Sequence, residues 1–83
     1  MSPVLLLREY LRALRRVRRK PGPAGLKKLE YLRFLGAARC PTCEEEADLA
    51  GYVCQRDAEG EILERYRCPQ CGTVFEFPQE QVH

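Results

Sequence analysis

The chain carries four cysteines in two Cys-x-x-Cys pairs, Cys40-Pro41-Thr42-Cys43 and Cys68-Pro69-Gln70-Cys71, with a glycine directly after the second. A short loop between paired cysteines aims both sulfurs at one point. Two such points supply four thiolates, the ligand set of a closed tetrahedral metal site. The spacing therefore predicts one metal ion held by Cys40, Cys43, Cys68 and Cys71, zinc ahead of iron. Proline after the first cysteine of each pair fixes φ, and Gly72 supplies the positive φ of a tight turn. Glu44 stands where the first pair would want its glycine, so that turn is expected to be the less regular of the two. The competing arrangement is a pair of disulfides, or reduced thiols that are simply buried.

At 83 residues the chain is short enough to need a metal or a partner beside its own core. The apolar run from Met1 to Leu7 is cut by Arg8 and Glu9, too early for a secretory signal or for a membrane span of about 20 apolar residues. A reducing, cytoplasmic setting is expected, which disfavours disulfides. A structural metal contributes roughly 10–16 kcal/mol, more than the whole stability of a typical small domain. Without it, the C-terminal half is expected to unfold.

Charge is distributed unevenly along the chain. Residues 1–39 hold eleven Lys or Arg against two acids (+9), and residues 40–83 hold three against ten (−7), which accounts for the net +2. Four thiolates around a divalent ion add a further −2, so a phosphate-binding surface is expected only in the first half. The opposite charges also suit packing of the halves on each other, or self-association.

Ser2 and Pro3 form a helix start, and nothing breaks the pattern before Pro21, which predicts a helix over residues 3–20. A rotation of about 100° per residue places Val4, Leu6, Leu7, Tyr10, Leu11, Ala13, Leu14 and Val17 on one arc. Arg8, Arg12, Arg15, Arg16 and Arg19 fall together on the other side, a basic ridge suited to nucleic acid or another polyanion. An acidic protein surface and plain solvation are the competing readings. Pro21-Gly22-Pro23 is a stiff turn, and a second helix is expected from Ala24 to Leu35, stopping at Gly36. Leu26, Leu29, Leu32 and Leu35 form its stripe, with Tyr31 and Phe34 beside it, all expected in the core. The apolar face is wider than one short helix can cover, which suggests a homo-oligomer or a helical partner.

Beyond the first cysteine pair, Tyr52 and Val53 favour a strand, and Asp57-Ala58-Glu59-Gly60 reads as a hairpin turn. Ile62 to Cys68 is the return strand, and the alternation Thr73-Val74-Phe75-Glu76-Phe77, ended by Pro78, makes a third. The expectation is a small α+β protein with a basic two-helix segment (1–36), a three-stranded antiparallel metal-bound unit (37–78) and a tail (79–83).

The stretch from Cys40 to Phe77 resembles a zinc ribbon, and Tyr66-Arg67-Cys68-Pro69-Gln70-Cys71-Gly72-Thr73-Val74-Phe75 resembles the closing knuckle of ribbons in transcription factors and transposases. The 24 residues between Cys43 and Cys68 match the spacing in the transcript-cleavage elongation factors. The resemblance implies an acidic hairpin tip, here Asp57, Glu59 and Glu61. In those factors an adjacent Asp-Glu pair at the tip helps hold a metal for RNA cleavage, whereas Glu59 and Gly60 fill those positions here. Rubredoxin, an iron-bearing electron carrier, is a further family with two such knuckles. Against it stand the absence of Trp and the Glu after the first pair.

No Ser-His-Asp set, phosphate-cradling glycine loop or open metal position points to an enzyme or to a small-molecule substrate. The expected function is a non-catalytic binding module, attached to nucleic acid or to a transcription protein through its basic helix. The alternative is an adaptor or small homo-oligomer assembled through the leucine-rich helices. Cys54, in mid-strand, is expected to be a small buried hydrophobe. His83 is expected to be a tail residue and not a ligand.

Overall fold

A computed structural model describes residues 2–77 and contains two helices, α1 (Pro3–Arg19) and α2 (Pro23–Phe34), followed by three strands, β1 (Tyr52–Arg56), β2 (Ile62–Arg67) and β3 (Val74–Phe77). The expected stop at Pro78, the tail 79–83 and His83 lie outside the described residues. Ser2 caps α1 by accepting the Leu5 N–H at 3.2 Å, with Pro3 in the first turn. The end of α2 is a Schellman motif. Gly36 takes φ 81°, its N–H donates to Arg33 O, and the Ala37 N–H donates back to Leu32 O. That turn sends the chain off the helix and directly toward Cys40.

The strands form one antiparallel sheet in the order β1-β2-β3. Tyr52 pairs with Tyr66, and Tyr66 in turn with Phe75, so Tyr52, Glu64, Tyr66, Phe75 and Phe77 share one face of the sheet. The hairpin turn holds Gly60 at φ 85°, and the Asp57 carboxylate accepts the N–H groups of Glu59 and Glu61 at 2.9 and 2.8 Å. Leu49–Gly51 forms a 3-10 turn directly before β1. Gly51 there lies so close to the Arg67 carbonyl that a Cβ would overlap it, which is why this approach uses glycine.

A single hydrophobic cluster draws on the whole chain. Leu7, Tyr10 and Leu11 of α1 meet Leu29 and Leu32 of α2 on one side and Tyr66 and Phe77 of the sheet on the other. Because α1 is covered from two directions, its buried surface is wider than the predicted apolar arc, and Arg8 is buried at 6 % exposure. The expected solvent-facing arginine ridge is corrected at its first two positions. Arg8 is inside, and Arg12 makes a two-pronged ion pair with Glu64 of β2, with Nε 3.0 Å from Oε2. The Tyr52 hydroxyl donates to the same carboxylate at 2.8 Å. Two further expectations are overturned. Tyr31 and Phe34 lie on the outer side of α2, and they and the expected core residues Leu26 and Leu35 stay exposed, because α1 takes only the stripe of Leu29 and Leu32. Cys54 is exposed as well, since α1 stands off the sheet where β1 passes it.

Burial raises the Glu64 pKa, but the Arg12 and Tyr52 hydrogen bonds outweigh it and hold the carboxyl below its ordinary range. A depressed folded-state pKa means that this stabilisation is complete at neutral pH and is lost only as pH falls through the folded value, beneath the usual carboxylate window. Removing Arg12 strands the largely buried Glu64 carboxylate, whereas removing Glu64 leaves a guanidinium that is still 35 % exposed. Arg12→Ala and Glu64→Ala should each cost about 2–3 kcal/mol, between surface and fully buried pairs. In denaturant melts at saturating metal, the double variant should lose well under the sum of the two, and a strictly additive pair would refute the coupling.

Candidate metal centre

The two cysteine turns are built alike. In the first, the Cys40 N–H donates to Glu45 O at 2.8 Å and the Glu44 N–H to Cys40 O at 2.9 Å. In the second, Cys68 N–H donates to Thr73 O at 3.0 Å and Gly72 N–H to Cys68 O at 2.8 Å. Each turn reverses at its fifth residue through a positive φ, 63° at Glu44 and 75° at Gly72. The first turn is thus as regular as the second, and Glu44 adopts the glycine-like conformation itself. Each turn also closes a ladder, β2 with β3 for the second, and the Arg39–Glu46 bridge for the first.

This duplication brings all four Sγ atoms within 4.8 Å of one another. Cys40 and Cys71 Sγ are 3.8 Å apart, Cys43 and Cys68 Sγ 3.6 Å, and none is in a disulfide. Sulfurs bound tetrahedrally to zinc at about 2.3 Å would stand about 3.8 Å apart. The donor set and its spacing therefore fit a metal ion, and the disulfide alternative is removed. Cys40 and Cys68 are buried, while Cys43 and Cys71 lie toward the surface.

Electrostatics point the same way. The Thr73 hydroxyl, 3.2 Å from Cys71 Sγ, and the Thr73 N–H favour the Cys71 thiolate and bring its pKa down to about 6. At Cys68, burial works against ionisation, but the N–H groups of Cys71 and Gln70 prevail and lower the pKa. At Cys43 the Glu45 N–H favours the thiolate, yet burial and the three neighbouring sulfurs overcome it and push the thiol up to about 12. Four sulfurs in this space cannot all ionise unless a cation joins them.

The other expected site residues are placed differently. Arg15, Arg16 and Arg19 remain exposed toward the C-terminal end of α1, whereas Arg8 is buried and Arg12 is paired with Glu64. With Lys20 they line one wall of a cleft of about 510 Å³, whose other wall is Tyr52, Cys54 and Ile62. At the hairpin, Glu59 and Glu61 are exposed while Asp57 is committed to the turn backbone, and among the described residues only the four cysteines gather as a metal-holding group. Sequence reasoning gave Glu64, Tyr52 and Thr73 no role beyond their place in strands. An acid between Ile62 and Tyr66 on an otherwise apolar strand face was the available signal for Glu64.

Compared with protein families, with curated proteins and with solved structures, the chain shows no significant match.

A left-handed non-glycine residue costs about 1–2 kcal/mol, partly offset by the extra chain entropy that glycine loses on folding. Glu44→Gly should therefore stabilise the metal-bound protein by about 0.5–1 kcal/mol, whereas Gly72→Ala should destabilise it. Thermal midpoints at saturating metal check both, and a lower midpoint for Glu44→Gly would contradict the left-handed turn.

Proposed function

We propose that the protein is a non-catalytic binding module of zinc-ribbon type, in which a structural zinc ion sets the fold and the basic end of α1 binds a polyanion, nucleic acid in the first instance. Four cysteines leave no coordination position for a substrate, so the metal's task is architectural. The observation that carries the binding reading is the exposed group Arg15, Arg16, Arg19 and Lys20, which faces one cleft whose only acid among the described residues, Glu64, is already matched by Arg12. Basic residues in a last turn also offset the helix dipole, but that is worth only about 0.3–1 kcal/mol each and does not require them to converge on a cleft.

Expression in the presence of zinc should yield one zinc per chain without visible colour, whereas an iron tetrathiolate would absorb in the visible range and favour electron transfer. Chelation should abolish the β signal in circular dichroism and, with it, nucleic-acid binding measured by fluorescence anisotropy. Binding that survives complete metal removal would contradict the architectural role.

A second reading has its own observation. Phe34 is 86 % and Tyr31 61 % exposed on the outer face of α2, flanked by half-exposed Leu26 and Leu35. Such a face suits a helix of a protein partner or of a second copy. Sedimentation velocity of the wild type against Phe34→Glu distinguishes self-association from a monomer.

A further inference from the structure

The shape of the basic cleft narrows its ligand. Resting on the polyanion reading above, we propose that the cleft between α1 and the β1–β2 hairpin holds one strand of nucleic acid, phosphates on the helix wall and a base against Tyr52 and Ile62, and that it discriminates against duplexes.

The two walls differ in chemistry. Arg15, Arg16 and Arg19 sit on successive turns of α1, about 6 Å of axial rise from Arg15 to Arg19, and Lys20 follows as the helix's C-cap, so that cations line one wall. Opposite them, Tyr52 and Ile62 come from adjacent strands on the helix-facing side of the sheet, with Cys54 between. A cationic rail beside an aromatic and aliphatic wall is the combination that binds single strands, because phosphates need charge and unpaired bases need a flat apolar face. A duplex hides its base faces and offers only phosphates.

Size and rigidity agree with this. A cleft of about 510 Å³ has room for a backbone segment and a base. Tyr52 is also held in place, since its hydroxyl donates to Glu64, which is fixed by Arg12. The platform therefore exists before the strand arrives. The exposed Cys54 thiol within the cleft reports on occupancy.

The test uses the zinc-loaded full chain with a fluorescent 12-nucleotide single strand and the corresponding duplex. Single-strand affinity should exceed duplex affinity at least tenfold, with a log–log salt slope of about −3 from four cations. Arg16→Glu with Arg19→Glu should remove most of that slope. Tyr52→Leu should weaken single-strand binding about 5- to 100-fold and leave duplex binding unchanged. Should Tyr52→Leu fail to fold, alkylation of Cys54 in the wild type replaces it, and a bound single strand should slow that reaction while duplex does not. Equal affinity for both forms, with Cys54 unprotected, overturns the cleft assignment but leaves the polyanion reading standing. No binding of either form overturns both.

Discussion

Four sulfurs lying within 4.8 Å of one another repel as thiolates and can share that space stably only around a cation. The meeting of the two cysteine turns depends on this neutralisation. Each cysteine turn ends a separate antiparallel ladder, so an ion held by the four cysteines would tie the Arg39–Glu46 bridge to the end of the β2–β3 pair. Between them lie Cys43 and Cys68, separated by 24 residues of chain that contain the hairpin. Closing such a loop by local interactions alone is entropically unfavourable, and the free energy of metal binding, gained only when the loop closes, would offset that cost. The sheet face beside the second turn, with Tyr66 and Phe77, joins the cluster that holds Leu7 and Leu11 of α1.

Helix α1 divides its basic residues between two roles along its length. Near its start and middle the helix is enclosed by α2 and the sheet, and its cations there are internal components, Arg8 buried and Arg12 matched to Glu64. Toward its C-terminus the helix leaves the sheet, and the remaining cations face water and the cleft. The contrast in charge between the halves is thus spent partly on cohesion, through Arg12 with Glu64 and Arg18 with Asp48, the latter at 3.8 Å. What is left over is concentrated at one end.

Much of this was legible in the residues because it depends on local rules. Cysteine spacing predicted the cluster, Pro3 and Gly36 marked helix ends to within a residue, and Asp57 to Gly60 marked the hairpin. The failures share a cause. Helical rotation assigns residues to two faces, but it does not reveal that a helix will be covered from two sides, which is what buried Arg8 and drew in Arg12. Nor does strand alternation reveal where a neighbouring helix stops covering the sheet, which is why Cys54 is exposed. Glu44 shows a different limit. Glycine is the least strained residue for a left-handed turn, yet a hydrogen-bonded loop clamped at both ends can impose that conformation on glutamate.

The placement of Glu64 has a bearing on how the strands choose their alignment. It occupies the helix-facing side of β2, across from Cys54 on one neighbour and Phe77 on the other. A slip by a single residue would turn the alternate set inward, Leu63, Arg65 and Arg67, and would set a guanidinium against Arg12 where a carboxylate now lies. Short strands have few ladder bonds with which to reject such a slip. The charge beneath α1 thus serves as a key that only one register of the sheet can turn.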